Sequence, residues 1–151
     1  MATSLAVPAG FRLPRIDAGL ALLRVVLGGV FMAHGAQKLF VYGFGGVTGA
    51  FTQMGAPLPG ITGPLVSLLE FFGGIALVIG LLTRLTSLGL AAVMVGAIVL
   101  VHLAAGFFAP NGIEFPLTLM AGAVALALTG PGAYSVDAVL ARRRTGSSFA
   151  R

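Results

Sequence analysis

The chain is 151 residues long, 58% hydrophobic and only 9% charged, with nine Lys+Arg against four Asp+Glu. A soluble domain carries roughly a quarter charged residues, and about a third of so short a chain's unfolded surface stays exposed after folding. With a mean hydropathy of +1.05, an ordinary soluble globule, a disordered tail and a nucleic-acid-binding module are excluded, leaving one small all-α integral membrane protein.

Residues 1–17 read as an N-terminal segment outside the spans, on the side that the cations mark as cytoplasmic. Pro8, Arg12, Pro14 and Arg15 interrupt it before any long apolar run, so it is not a signal peptide. The first predicted span covers about 18–40 and holds Arg24, His34 and Lys38. A Gly/Pro-rich connection without charge follows from Tyr42 to about Gly63, and its Val47–Met54 portion suits a short interfacial helix with Phe51 and Met54 on its apolar side. Pro64 is placed to open the second span, about 64–82. Thr83-Arg84 makes a short turn into the third span, about 85–108, and Ala109-Pro110-Asn111-Gly112 signals another turn. The fourth span, about 113–129, is near the lower limit of the roughly 17 residues needed to cross. Gly130-Pro131-Gly132 stops it, and 133–151 reads as a basic tail with an amphipathic helix over Ser135–Arg144.

Four crossings over 18–132 put both termini on one side, and the distribution of cations says which. The net charge is +5 and the pI near 11.2, but the arginines flank the apolar spans, as in membrane orientation rather than nucleic-acid contact. Arg12, Arg15, Arg84, Arg142, Arg143, Arg144 and Arg151 fall on the same side, opposite an uncharged loop and Glu114. The expectation is an antiparallel four-helix transmembrane bundle in the inner (plasma) membrane with both termini cytoplasmic. Close helix contacts are expected at Gly28, Gly73, Gly74 and the Ala92-x-x-x-Gly96 pair.

Ionisable residues inside spans cost a few kcal/mol or more unless partnered. At about 1.5 Å per residue, His34, Lys38, Glu70 and His102 share the outer third of the bundle, with Asn111 and Glu114 at the outer turn. His34 and Lys38 stack four apart on one helix face, with Arg24 within about 80° of both. A polar chamber opening outward follows if these faces point inward. Each residue also has a purely structural reading. Lys38 and Arg24 can snorkel, Arg24 can pair across helices, Glu70 can form an ion pair with Lys38 or a histidine, and each histidine can be an interhelical strut. Matched histidines also permit bis-imidazole haem, or a divalent metal held with the glutamates. Neither is favoured, since neither a second His pair nor a metal-binding motif is present. The chain contains no cysteine, which removes thiol chemistry and thiolate ligands. The Gly43-Phe-Gly-Gly run is not a phosphate loop, and Ser67, Ser87 and Ser135 lack a base-and-acid constellation.

From Ala18 to Asp137 the sequence resembles the DoxX family of small membrane proteins. The first span carries Arg24-x-x-x-Gly28-x-x-Phe31-x-x-His34-Gly35-x-x-Lys38. It is followed by Gly55-Ala-Pro57, Glu70-x-x-Gly73-Gly74 and Gly80-Leu-Leu-Thr83-Arg84. Asn111-Gly112-x-Glu114-Phe115-Pro116 and Gly130-Pro131-Gly132-x-x-Ser135-x-Asp137 complete the pattern. The resemblance implies membrane redox chemistry, since related proteins include the membrane subunit of archaeal thiosulfate:quinone oxidoreductase. The resulting expectation is a membrane subunit of a quinone-linked oxidoreductase. In it His34, Glu70 and His102 exchange protons with substrate, while Arg24, Lys38, Asn111 and Glu114 bind it. Its partners would be membrane lipids and other subunits of a redox complex, or further copies of itself. The alternatives are a non-catalytic assembly or accessory subunit of such a complex and a small-molecule transporter, for which internal repeats and broken helices are missing.

Overall fold

The computed structural model describes residues 14–146, and every regular element among them is helical. Helix α1 (Pro14–Ala36) continues through a π-helical turn, Gln37–Tyr42, before Gly43 at φ +64° turns the chain into α2 (Gly43–Gln53). Helix α3 (Pro59–Ile79) is followed by α4 (Thr83–Ala97), itself prolonged by a π-helical turn, Ile98–His102, and a 3-10 turn, Leu103–Ala105. Helices α5 (Glu114–Thr129) and α6 (Val136–Gly146) complete the described chain. The start of the expected N-terminal segment, with Arg12, and the end of the tail, with Arg151, lie outside the described residues.

Three helical stretches are long and apolar enough to cross a membrane: Pro14–Gln53, Pro59–Ile79 and Thr83–Ala105. Helix α5 is apolar but has only 16 residues. The chain is a multi-pass membrane protein by these spans. Its surface agrees: Leu22, Val26, Leu65, Phe72, Leu85, Leu88, Val99 and Leu128 all point outward and are exposed. Beside an apolar cluster, burial takes in polar residues on the inner faces of α1, α3 and α4: Asp17, Arg24, Ser67, Glu70, Thr83 and Ser87. In hydrocarbon, lipid covers apolar side chains, so the interior is free to be small and hydrogen-bonded.

Pro59, not Pro64, takes the first-turn position of α3, and Pro64 lies within the helix. Pro59 fits because its missing N–H would be unpaired there anyway. The helices pack α1 on α3, α4 on α5, α2 on α3 and α3 on α4, with lighter contact between α1 and α5. At the α1–α3 crossing a Cβ on Gly28 would lie 2.6 Å from the Gly74 carbonyl oxygen, and one on Gly74 would lie 2.5 Å from the Met32 nitrogen. One turn pair further along, a Cβ on Gly35 would lie 2.3 Å from the Phe71 nitrogen. Gly28 and Gly35 are seven apart and share a face, so backbone meets backbone over two turns. A Cβ on Gly73 would lie 3.2 Å from Thr86 Cγ2 of α4, whereas one on Gly96 would meet nothing within 4 Å. Gly96 is therefore not a helix contact, contrary to the sequence expectation. The middle of the bundle is apolar: Leu27, Phe31, Leu77, Leu90, Ala91, Met94, Leu119, Ala123 and Leu126 form one buried cluster.

Candidate functional site

Two polar ends flank that cluster. The first gathers the ends of α1, α3, α4 and α5 with the start of α6. Helix α3 closes in a Schellman motif: Gly80 at φ +72° donates its N–H to Leu77, and Leu81 donates to Ala76. Arg24, 1% exposed, reaches across from α1 and donates through Nη1 to the carbonyls of Leu77 (3.1 Å) and Val78 (3.4 Å), and through Nη2 to the carbonyl of Tyr134. A guanidinium thus caps the negative end of α3 and holds the chain leading into α6. Any Cβ on Gly80 would lie 2.2 Å from Arg24 Nη1.

The carboxylates at this end do the reciprocal work. Asp137 accepts from the N–H groups of Leu82 (2.8 Å) and Thr83 (2.9 Å), capping α4, while its own N–H donates to the Gly80 carbonyl at 2.9 Å. That anchoring holds Leu82 at φ +48°, where a branched residue pays about 1–2 kcal/mol. Asp17, 5% exposed, accepts from Ala133 N–H at 2.7 Å. Ser135 caps α6 by accepting from Ala138 N–H at 3.1 Å. Arg24 is therefore committed to backbone carbonyls at the end away from His34, and of its structural readings the cross-helix tie is the one observed. Its Nε, with Thr83 Oγ1 and Ser87 Oγ, is buried without a hydrogen bond.

The opposite end carries the two histidines. Glu70, 3% exposed, is paired with Lys38, whose Nζ donates to its Oε2. Lys38 stands in the π-helical turn after α1, and His102 ends the π-helical turn after α4. Such wide turns are rare and occur often at functional sites, because they redirect side chains that regular helix would stack. Here Lys38 faces α3 and Glu70, while His34 faces α5, its ring centroid 6.1 Å from that of Phe115. His34 is exposed, and with Ala33 and Gln37 it lines an open groove. His102 Nδ1–H donates to the Asn111 carbonyl at 2.7 Å, since a carbonyl oxygen can only accept. Glu114, at the start of α5, accepts from Ala109 N–H at 2.7 Å.

The groups expected to face one chamber thus form three separate arrangements: the Lys38–Glu70 pair, the His34–Phe115 groove, and the loop held by His102, Asn111 and Glu114. Among the described residues no three His, Asp or Glu side chains are grouped to hold a metal ion, so the metal reading with both histidines and the glutamates has no geometry behind it. Sequence reasoning missed Gln37, Phe115 and the two π-helical turns. The apolar residues that follow, Phe115 in Asn111-Gly112-x-Glu114-Phe115, gave the one available signal.

These features lie on a chain whose residues 19–103 match the DoxX family model and whose residues 62–150 match a second model described as "TQO small subunit DoxD". The chain belongs to the DoxX family. It is 37% identical over 131 residues to "Inner membrane protein YqjF" of Escherichia coli K12, covering 84% of this chain and 95% of that one. It is 33% identical over 122 residues to "Putative oxidoreductase CatD" of Bacillus subtilis, covering 80% and 86%. It is 34% identical over 134 residues to "Uncharacterized membrane protein Rv3486" of Mycobacterium tuberculosis, covering 82% of each. No solved structure matches it. In this DoxX-family chain the Arg24-to-Lys38 motif supplies Arg24 to one polar end and His34 and Lys38 to the other. Gly80 to Thr83 and Gly130 to Asp137, distant in sequence, meet at one end.

Proposed function

We propose that this chain is the membrane subunit of a quinone-linked oxidoreductase, with its substrate site at the histidine end. In this reading the domain over 18–132 crosses four times as an antiparallel bundle in the inner membrane. Both termini are cytoplasmic, and residues 1–17 and 133–151 lie on that face. The observation that carries the proposal is the Lys38–Glu70 pair, buried on the Glu70 side, at the same end of the bundle as an exposed imidazole. A carboxylate paired with an ammonium inside a membrane protein needs a reason beyond packing, and His34 borders an open surface groove in which a flat, lipid-soluble ring would be placed. The second family model and one relative's name support an oxidoreductase setting.

The residues present suit a quinone substrate. His34 and Gln37 offer hydrogen-bonding groups along an open groove, and Phe115 offers a ring face next to His34. His34 orients a substrate carbonyl and exchanges a proton with it. Glu70 Oε2 takes or returns a proton when Lys38 withdraws, and Lys38 offsets negative charge. His102, Asn111 and Glu114 hold the loop over this end. Electrons come from another subunit or a second substrate. A ubiquinone analogue carrying a photoreactive group should label the wild-type chain in nanodiscs and lose most labelling in His34→Ala. Purified protein that neither binds quinone nor alters quinone turnover by its native complex overturns the proposal.

A second reading, an accessory subunit that assembles a redox complex, is favoured by one observation: His34 and Gln37 lie on the surface, where another subunit can cover them. A complex that keeps its activity with His34→Ala and Glu70→Gln, but fails to assemble without this chain, establishes that reading.

A further inference from the structure

We propose that Arg84 binds the phosphate of an anionic membrane phospholipid, whose acyl chains lie along α4 and α5. Arg84 belongs to the Gly80-to-Arg84 motif, yet the network around Arg24 and Asp137 makes no use of its side chain. It stands in the first turn of α4, is exposed, and makes no hydrogen bond or ion pair with any described residue. Its position is nevertheless fixed. The guanidinium rests over Gly130 at the end of α5, where a Cβ would lie 3.1 Å from both Nε and Nη2. Gly130 is at φ +87°, a conformation and a clearance that suit glycine. The last carbonyls of α5 favour a cation there without neutralising it.

Among the described residues no acidic side chain is left to supply the missing anion. The chain has four acidic residues, and each is engaged elsewhere. Asp17 holds Ala133 N–H, Asp137 holds the N–H groups of Leu82 and Thr83, Glu70 holds Lys38, and Glu114 holds Ala109 N–H. The two acids at Arg84's own end are turned to backbone N–H groups, Asp137 to those that open α4 and Asp17 to that of Ala133. What remains outside is cationic: Arg15, Arg84 and Arg143 are all exposed. A guanidinium with free forked donors matches a phosphate bidentately.

The surroundings select a lipid over a free anion. Leu88, one turn beyond Arg84 on the same face of α4, is exposed, as are Leu85 beside it and Leu128 near the end of α5. A cation at the head of a membrane-spanning helix with an apolar flank beneath it repeats the layout of a phospholipid, with phosphate above and hydrocarbon below. The apolar flank has no use for a soluble phosphate.

The test uses the full chain purified in a mild, uncharged detergent. Phosphatidylglycerol, phosphatidylcholine with the same acyl chains, and inorganic phosphate are titrated separately, with retained lipid read by native mass spectrometry. Phosphatidylglycerol should bind and persist, phosphatidylcholine should bind more weakly, and inorganic phosphate should neither bind nor compete. Arg84→Gln should weaken phosphatidylglycerol binding about five-fold, as expected for one basic contact at a membrane surface. Arg143→Gln should leave it nearly unchanged. Equal binding of the two lipids, competition by inorganic phosphate, or unchanged affinity in Arg84→Gln overturns the proposal. So does a lower lipid-free unfolding temperature in Arg84→Gln, which would make Arg84 a cap for α5 instead.

Discussion

Replacing Lys38 by Met tests whether the Lys38–Glu70 pair is a buried ion pair or a surface one. Methionine keeps most of the lysine stem's volume, so the change removes the ammonium and little packing. The two partners are unequally covered, with side-chain exposures of 23% for Lys38 and 4% for Glu70. Lys38→Met strands a carboxylate at the packed α1–α3 contact, and losing one partner of a buried pair costs about 3–5 kcal/mol. Glu70→Gln strands an ammonium that can turn towards headgroups on its flexible stem, so its cost should be nearer 1 kcal/mol. The double substitution strands neither charge and should be less harmful than Lys38→Met alone, with a coupling energy of at least about 1.5 kcal/mol. Reversible unfolding in mixed detergent micelles, followed by circular dichroism, measures all three. Equal costs for the single variants, adding without coupling in the double variant, would refute the reasoning.

Three further substitutions probe the fold around the site. Gly74→Ala forces a Cβ to within 2.5 Å of backbone and should cost about 1–3 kcal/mol by the same unfolding assay, while Gly96→Ala, with nothing within 4 Å, should be neutral or slightly stabilising. Gly80→Ala meets Arg24 Nη1 at 2.2 Å and sits at φ +72°, so it should lower stability by about 2 kcal/mol or more and abolish the Arg24 tie. Asp137→Ala frees the N–H groups of Leu82 and Thr83, costing about 1–2 kcal/mol. It should also detach α6 and speed tryptic cleavage at Arg142–Arg144, and an unchanged cleavage rate argues against the anchoring role.

How much of this was legible in the sequence depended on whether a feature is set by composition or by close geometry. Hydropathy located three crossing-length helices, because lipid demands long apolar stretches whatever the tertiary packing. The pairing of Lys38 with Glu70 was among the readings open from depth alone, since both lie a similar distance from one end. Their separation from His34 was not legible. A regular helix stacks residues four apart, and only the π-helical turn at Gln37–Tyr42 sends Lys38 to α3 while His34 turns to α5. The Gly28–Gly74 approach could be expected from small residues, but Gly96 shows that a small-xxx-small spacing does not say which face meets a partner. The union of Gly80 with Asp137 was invisible for a different reason. The residues are far apart in sequence, and each looks like an ordinary turn or cap until the fold brings them together.

The two polar ends answer to different physical demands, and the apolar layer between them keeps those demands apart. At the Arg24 end, donors and acceptors are matched to backbone groups that helix termini leave unpaired, so substitutions there should act on stability and on the seating of α6. At the histidine end, the buried charge pair and the outward imidazole are not needed to cap any helix. A pair of this kind is poor value as stabilisation, since apolar side chains of similar volume would serve the fold as well or better. The proposed chemistry at that end would give it a reason. Leu27, Phe31, Leu77, Leu90 and Leu119 belong to an apolar cluster between the ends. In the proposed function, protons exchanged by Glu70 and His34 would therefore come and go on the histidine side. A substitution such as Asp137→Ala, although it loosens the fold, should leave binding at the His34 groove intact as long as the bundle stays assembled.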